Sequence, residues 1–226
     1  MSLKIDNDNI IDIFSKDKKI ARVYDGNQLV WGYHPGEVIF ESSTPGTYQV
    51  KIKCNCKIRV ILVGAGGGAA SWGGYYSNNY TWNSSGGGGS GAYIDGVLSV
   101  LSGTYNAVVG VGGNYFRDDG IGSHFGYAGD GSSSSFVGNI AGGGKGGFAA
   151  NTAIGGTGGI YQSDLVGVNG EDGSGMEHVV SWGSYPIQNI DGGSSKYGGY
   201  GYGGYINDRT MNNAVGGNGY IKIVAV

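Results

Sequence analysis

The sequence predicts an all-β fold, a β-sandwich frame of jelly-roll type that carries glycine-rich insertions. Three observations predict it. The first is where the glycine lies. Of 50 glycines in 226 residues, Gly26, Gly32, Gly36 and Gly46 are the four in residues 1–59, and the other 46 (50 minus 4) fall in residues 60–226. The second is the company they keep. The chain has 17 Tyr, 6 Phe and 4 Trp, whereas disordered glycine-rich linkers are poor in aromatic and β-branched residues. The third is that runs of ordinary strand composition bracket the glycine clusters, and no long amphipathic helical pattern occurs. A collagen-like chain is excluded, since there is no strict Gly-X-Y period and there are only three prolines.

The N-terminal segment, residues 1–33, reads as a small attachment unit. Ile10 to Phe14 is a short apolar run. Lys19 to Tyr24 and Gln28 to Trp31 flank the turn signal Asp25-Gly26-Asn27, which predicts a β-hairpin. Gly32 to Gly36, with Pro35, marks a boundary before a body spanning residues 37–226.

The body opens with strands. Glu37 to Glu41 precedes the turn Ser43-Thr44-Pro45-Gly46, and Thr47 to Lys53 alternates as a half-buried strand should. Lys57 to Val63 begins alternating and ends fully apolar, which suits a strand entering a core. Ala92 to Val100, Thr104 to Val111 and Gly219 to Val226 complete the frame. Between them lie glycine clusters: Gly64 to Gly68, Gly86 to Gly89, Gly142 to Gly147, Gly155 to Gly159 and Gly198 to Gly204. Such runs can adopt threefold polyproline-II-like (polyglycine II) helices. With no side chain between them, their N–H and C=O groups pair from helix to helix.

Charge and cysteine usage narrow the function. Residues 60–226 carry five basic and ten acidic residues, a net of −5. Nucleic-acid binding needs a basic patch instead. Met1 to Asn9 is polar and gives no secretory signal, and no apolar run is long enough to span a membrane. Cys54 and Cys56 read as two thiols of one half-buried strand rather than a metal pair or a bridge.

The motifs that suggest chemistry lack their contexts. Gly64-Ala65-Gly66-Gly67-Gly68-Ala69 follows a strand as a dinucleotide fingerprint would, but Ser71-Trp72-Gly73-Gly74 does not continue as a helix. Gly142 to Gly147 resembles a phosphate loop, yet Gly146 stands where Ser or Thr is required, so Lys145 reads as a solvated side chain. His34, His124 and His178 are scattered, and Asp118-Asp119 and Glu171-Asp172 sit beside glycine as turn residues do. The expectation is a protein that is not an enzyme, with no cofactor and no metal.

The aromatic clusters are the candidates for recognition. Trp72, Tyr75, Tyr76, Tyr80 and Trp82 lie between two glycine runs among Ser and Asn. Trp182 and Tyr185 form a second such segment. Tyr, Trp, Ser, Asn and Gly are what recognition loops favour, because they give contact area at low entropy cost. The alternative is that these rings pack over glycine surfaces. For a third cluster, Tyr197, Tyr200, Tyr202 and Tyr205, packing is the better reading.

Taken in order, Phe40, Pro45 to Tyr48, Ile58 to Gly68, Gly86 to Tyr93, Tyr105 to Gly113 and Gly216 to Ile221 resemble the glycine-rich domain of bacteriophage and prophage tail-fibre or tail-tip proteins, over about residues 37–226. They are also similar to the tail-fibre-tip adhesins of T-even phages and to the glycine-rich region of the anaplastic lymphoma kinase receptor family. Ile20 to Trp31 looks like the short hairpin placed at the start of phage tail proteins. The resemblance implies a lattice of polyglycine helices and variable aromatic segments that touch a bacterial cell-surface receptor, glycan or protein. It implies other tail-fibre components as partners, a homotrimer as one possible state, and a place on the virion tail after synthesis in the bacterial cytoplasm. No nucleic acid and no membrane insertion are expected. A structural or oligomerisation role in a fibre, and ice binding, are the alternatives.

Overall fold

Apolar side chains that alternate with polar ones form strands, and the first of them lie in the N-terminal segment. In the computed structural model, residues 2–6, 9–15, 18–20, 23–25, 28–76, 80–118, 125–150, 153–181, 191–197, 199–206 and 214–226 are described. β1 (Ser2–Asp6), β2 (Asn9–Ser15) and β3 (Lys18–Ile20) form an antiparallel sheet. β4 (Val23–Asp25) and β5 (Gln28–Trp31) form the hairpin expected around Asp25-Gly26, with Asp25 opposite Gln28.

The chain then builds β6 (Val38–Ser42), β7 (Gly46–Ile52), β8 (Cys56–Val63), β9 (Ala70–Tyr76), β10 (Tyr80–Gly86), β11 (Tyr93–Val100), β12 (Gly103–Val109), β13 (Phe116–Asp118) and β14 (Gly126–Tyr127). Next come β15 (Ser134–Phe136), β16 (Asn139–Ala141), β17 (Phe148–Ala149), β18 (Ala153–Ile154), β19 (Tyr161–Gln162), β20 (Val166–Val168), β21 (Gly175–Ser181) and β22 (Tyr220–Ala225). No helix occurs among the described residues.

The expected sandwich is present. One sheet runs β20-β11-β8-β22-β6 and the other β19-β16-β15-β12-β7. Alternation along each strand sends one set of side chains inward. Ile58, Val60 and Leu62 of β8, Ile94 of β11, and Ile221 and Ile223 of β22 meet Val50 and Ile52 of β7, Ala107 and Val109 of β12, and Phe136 of β15. Tyr33, at the end of the N-terminal segment, also packs in this core. Its hydroxyl donates to the Lys51 carbonyl (3.3 Å) and accepts from the Lys53 N–H (2.9 Å). Cys54 is buried in the turn between β7 and β8, Cys56 opens β8, and they form no disulfide.

The glycine runs leave the sandwich from the ends of these strands, and they are not β-ladders. Their hydrogen bonds repeat every three residues. In segment 64–69, Gly64 and Gly67 donate to Ala92 and Gly89, Ala65 and Gly68 to Ser132 and Gly129, and Gly66 and Ala69 to Gly217 and Ala214. Three neighbours are thus reached in strict rotation, the signature of a threefold helix rather than a twofold strand. Segment 87–92 does the same. Gly87 and Ser90 donate to Ser174 and Glu171, Gly88 and Gly91 to Gly204 and Gly201, and Gly89 and Ala92 to Lys145 and Gly142. These are the expected polyglycine II helices.

Each of these two helices also accepts from three others. Segment 64–69 accepts from Gly113, Gly144 and Gly204, and segment 87–92 from Gly67, Gly156 and Gly193. Both therefore have six neighbours. The remaining segments, 110–115, 128–133, 142–147, 155–160, 169–174, 191–195, 201–205 and 214–219, close a ring around the pair, each hydrogen-bonded to the next. Two helices enclosed by eight is a hexagonal lattice cut around two adjacent points.

Chain direction follows. Segment 64–69 leaves β8 for β9, 87–92 returns from β10 to β11, and the alternation continues to 214–219, which re-enters the sandwich as β22. Six residues of such a helix span about 19 Å. The sandwich closes one end of the lattice, and β9, β10, β13, β14, β17, β18 and β21 form a distal tier at the other.

Most positions in the middle fit only glycine, although Ala65 and Ser90 also lie buried there. A Cβ on Gly66 would lie 1.8 Å from the Tyr202 carbonyl oxygen, on Gly67 2.0 Å from that of Lys145, and on Gly88 2.0 Å from that of Gly67. On the rim, side-chain oxygens replace the missing helices. Asn218 accepts from the Gly112 N–H (3.1 Å), Asp130 from Gly146 (2.9 Å) and Asp172 from Gly158 (2.7 Å).

The third tyrosine cluster packs, as read. Tyr197 and Tyr200 stack on Tyr220, with ring centroids 5.2 and 4.5 Å apart, and Tyr93 stacks on Tyr197 at 5.7 Å. They cover Ile61 and Val63 where the sandwich meets the lattice. Burial, and next the hydrogen bond from its hydroxyl to the Asp95 carboxylate (3.1 Å), push the Tyr93 phenol up to about 12. Burial and the hydrogen bond to Glu41 raise Tyr220 as well.

Two outcomes are expected. In urea unfolding, Gly67→Ala and Gly88→Ala each lose about 3 kcal/mol or more, because the interfering atoms are backbone and cannot swing away. Gly199→Ala, with nothing within 4 Å of its Cβ, stays within about 0.5 kcal/mol of wild type. The second outcome concerns alkali. A phenol whose folded pKa is raised stabilises below its unfolded value and loses that contribution as pH climbs. Stability therefore holds to about pH 10 and declines as pH approaches the Tyr93 value of about 12. Tyr93→Phe makes the decline shallower in pH-dependent melts.

Candidate functional site

The distal tier is two small sheets, one of order β13-β9-β10-β21 and one of order β14-β17-β18. They pack face to face. Ser84 of β10 donates its hydroxyl proton to the Ala150 carbonyl, and a Cβ on Gly86 would lie 2.3 Å from the Ile154 carbonyl oxygen. Ala70, Trp72, Ala128 and Ala149 form the buried centre, with Phe116 against it. Small residues are needed here because the rings of Trp72 and Phe116 fill the space.

The first predicted segment is therefore a pair of strands rather than a loop. Trp72 is 6% exposed, and its indole Nε1 has no hydrogen-bond partner. It anchors the ribbon from within. Tyr75 and Tyr76 end β9, and Tyr80 and Trp82 begin β10. The register sets Tyr80 opposite Tyr76, Thr81 opposite Tyr75 and Trp82 opposite Gly74.

Trp182 and Tyr185 lie outside the described residues. The strand before them is informative nonetheless. β21 pairs with β10 so that Ser181 is opposite Tyr80, itself opposite Tyr76. The backbone thus brings the end of the first aromatic segment beside the start of the second. The described residues flanking 77–79, 119–124, 151–152, 182–190 and 207–213 all belong to this end of the lattice.

Segment 64–69 passes into β9 with no helix to hold a pyrophosphate. The Lys145 ammonium is exposed and 2.7 Å from Asp130 Oδ2. Among the described residues, no group of three or more His, Cys, Asp and Glu could hold a metal ion.

Exposed aromatic residues that the sequence reading did not single out also lie on this tier. Phe125 is 68% and Tyr127 74% exposed. Each stands alone between glycines or in a short polar stretch, so spacing gave no signal that pairing would set Tyr127 against Phe148.

A family described as a glycine-rich domain matches residues 42–225. The chain belongs to this family. No curated protein matches it. The match begins inside β6 and ends on the last residue of β22, so it covers nearly all of the sandwich, the whole lattice and the distal tier of the glycine-rich domain, and leaves out β1 to β5.

Trp72 supplies a test of the tier's packing. Trp72→Ala is expected to cost about 3 kcal/mol or more, as large-to-small changes in tight cores do. Trp72→Phe keeps most of the ring and removes an unpartnered N–H, so it stays within about 1 kcal/mol of wild type. Thermal denaturation of both variants checks this.

Proposed function

We propose that this glycine-rich domain is the receptor-binding tip of a bacteriophage or prophage tail, recognising a bacterial surface receptor. The observation that carries the reading is the alignment of β9, β10 and β21 at the end of the lattice remote from the sandwich. It brings Ser181, the residue before the second aromatic segment, opposite Tyr80 of the first. Binding is favoured by preorganisation: a backbone locked by neighbours on all sides leaves little entropy to lose when a receptor docks. In this reading β1 to β5 mount the domain on other tail components, the protein works on the virion, and it binds without catalysing a reaction.

The test uses fluorescently labelled intact protein on a panel of bacterial hosts. Wild type is expected to decorate at least one host. Tyr76→Ala with Trp82→Ala is expected to weaken that binding by about tenfold or more, as loss of aromatic anchors does. Undiminished binding by the double variant removes the ribbon as the site. A stable trimer in light scattering, with no host bound by wild type, replaces the adhesin reading with an oligomerisation role.

A further inference from the structure

We infer that the outer face of the β14–β17–β18 sheet, continued down the flank of the lattice, is a second binding surface, for neutral pyranose oligosaccharides. The inference does not rest on the tail-adhesin reading, because the surface exists whatever the domain is mounted on.

The face is set by Gly126. A Cβ there would lie 2.4 Å from the Phe116 ring, so that side of β14 looks inward. Phe125 and Tyr127, on either side of Gly126, accordingly look outward and are 68% and 74% exposed. Tyr127 pairs with Phe148, ring centroids 4.4 Å apart. Phe148 in turn pairs with Ile154, which is 58% exposed. The row Tyr127, Phe148, Ile154 crosses three strands, about 10 Å from first to last, with Phe125 about 7 Å along β14. Contiguous exposed apolar side chains of this kind mark interaction sites.

The threefold helix decides what lies beside the row. Each row residue ends its strand where segment 128–133, 142–147 or 155–160 adjoins it, and an exposed position of that segment lies three residues away. Three residues from Tyr127 is Asp130, three from Phe148 is Lys145, and three from Ile154 is Thr157. The Asp130–Lys145 ion pair at 2.7 Å shows the two neighbouring helices in step. The Lys145 N–H donates to the Thr157 carbonyl (2.8 Å), which brings the third helix alongside. A carboxylate, an ammonium and an exposed hydroxyl therefore form a polar row about 9 Å below the apolar one.

An apolar strip beside a row of donors and acceptors matches a sugar. The exposed rings of Phe125 and Tyr127 meet the polarised C–H groups of a pyranose, and the polar row meets its hydroxyls. Asp130 and Lys145 neutralise each other, so the surface has no field that selects an ionic ligand. A protein partner covers about 800 Å² per side, more than four side chains present. A second copy laid on this face would bury the ion pair beneath apolar groups, with a desolvation penalty.

The test titrates the intact protein with maltotriose, cellotriose, chitotriose and mannotriose, read by saturation-transfer NMR and calorimetry. At least one is expected to bind with a dissociation constant near about 1 mM. Tyr127→Ala should weaken it about tenfold and Asp130→Asn about threefold, with melting temperatures little changed because Tyr127 is exposed and asparagine at position 130 keeps an oxygen for the Gly146 N–H. Raising salt should leave the affinity unchanged. Three results would overturn the inference: no trisaccharide binding at about 10 mM, binding that survives both Tyr127→Ala and Phe125→Ala, or a concentration-dependent dimer that Tyr127→Ala abolishes. Host-cell binding by Tyr76→Ala with Trp82→Ala is a separate readout, so failure here leaves the adhesin reading standing.

Discussion

Backbone N–H groups three residues apart reach the same neighbouring chain, and that repeat governs the rest of the molecule. A strand has two hydrogen-bonding edges, so it can build only a sheet. A threefold helix has three directions of donation and three of acceptance, so it can build a solid. Segment 64–69 uses all six. The separation at which these bonds form leaves no room for a Cβ at most interior positions, Gly66, Gly67 and Gly88 among them, which is why glycine is required there. Ordering so many glycines costs conformational entropy. The lattice offsets it with one hydrogen bond for nearly every interior N–H, in a place from which water is excluded.

The lattice also needs ends. An array of bare backbone has no side chains to form an apolar core, and each end is closed by a layer that has them. The sandwich core around Leu62, Phe136 and Ile221 closes one. The cluster around Trp72 closes the other with far fewer residues. The tyrosines stacked on Tyr220 seal the join between sandwich and lattice. The distal tier is the thinner layer; the first binding surface proposed above lies on it and the second begins there.

Much of this was legible in the sequence because two kinds of pattern are local. Alternation in Thr47 to Lys53 and the apolar finish of Lys57 to Val63 announced β7 and β8, and Asp25-Gly26 announced the hairpin. The glycine clusters announced the threefold helices at 64–69, 87–92, 142–147 and 155–160, whereas 128–133, 169–174 and 191–195 hold too little glycine to announce theirs. Less legible were elements whose identity depends on partners. Trp72 to Trp82 has the composition of a loop, and it is a ribbon because β13 and β21 flank it. Trp72 looked like an exposed contact residue, and it is buried because Ala128 and Ala149 arrive from elsewhere in the chain. The face carrying Phe125 and Tyr127 follows from strand pairing and from the threefold phase of three separate segments, neither of which has a sequence period of its own.

The position of segment 64–69 has a consequence for the order of events during synthesis. It is the first glycine segment to be made and it lies at the centre. Its six partners come from 87–92, 110–115, 128–133, 142–147, 201–205 and 214–219, so all six are made after it and the last of them far along the sequence. Until then its carbonyls and N–H groups are met by water. Contacts of such long sequence separation slow folding. The central helix is therefore enclosed only after residues 214–219 have been made, and β22, which follows them directly, ties the completed lattice back into the sandwich.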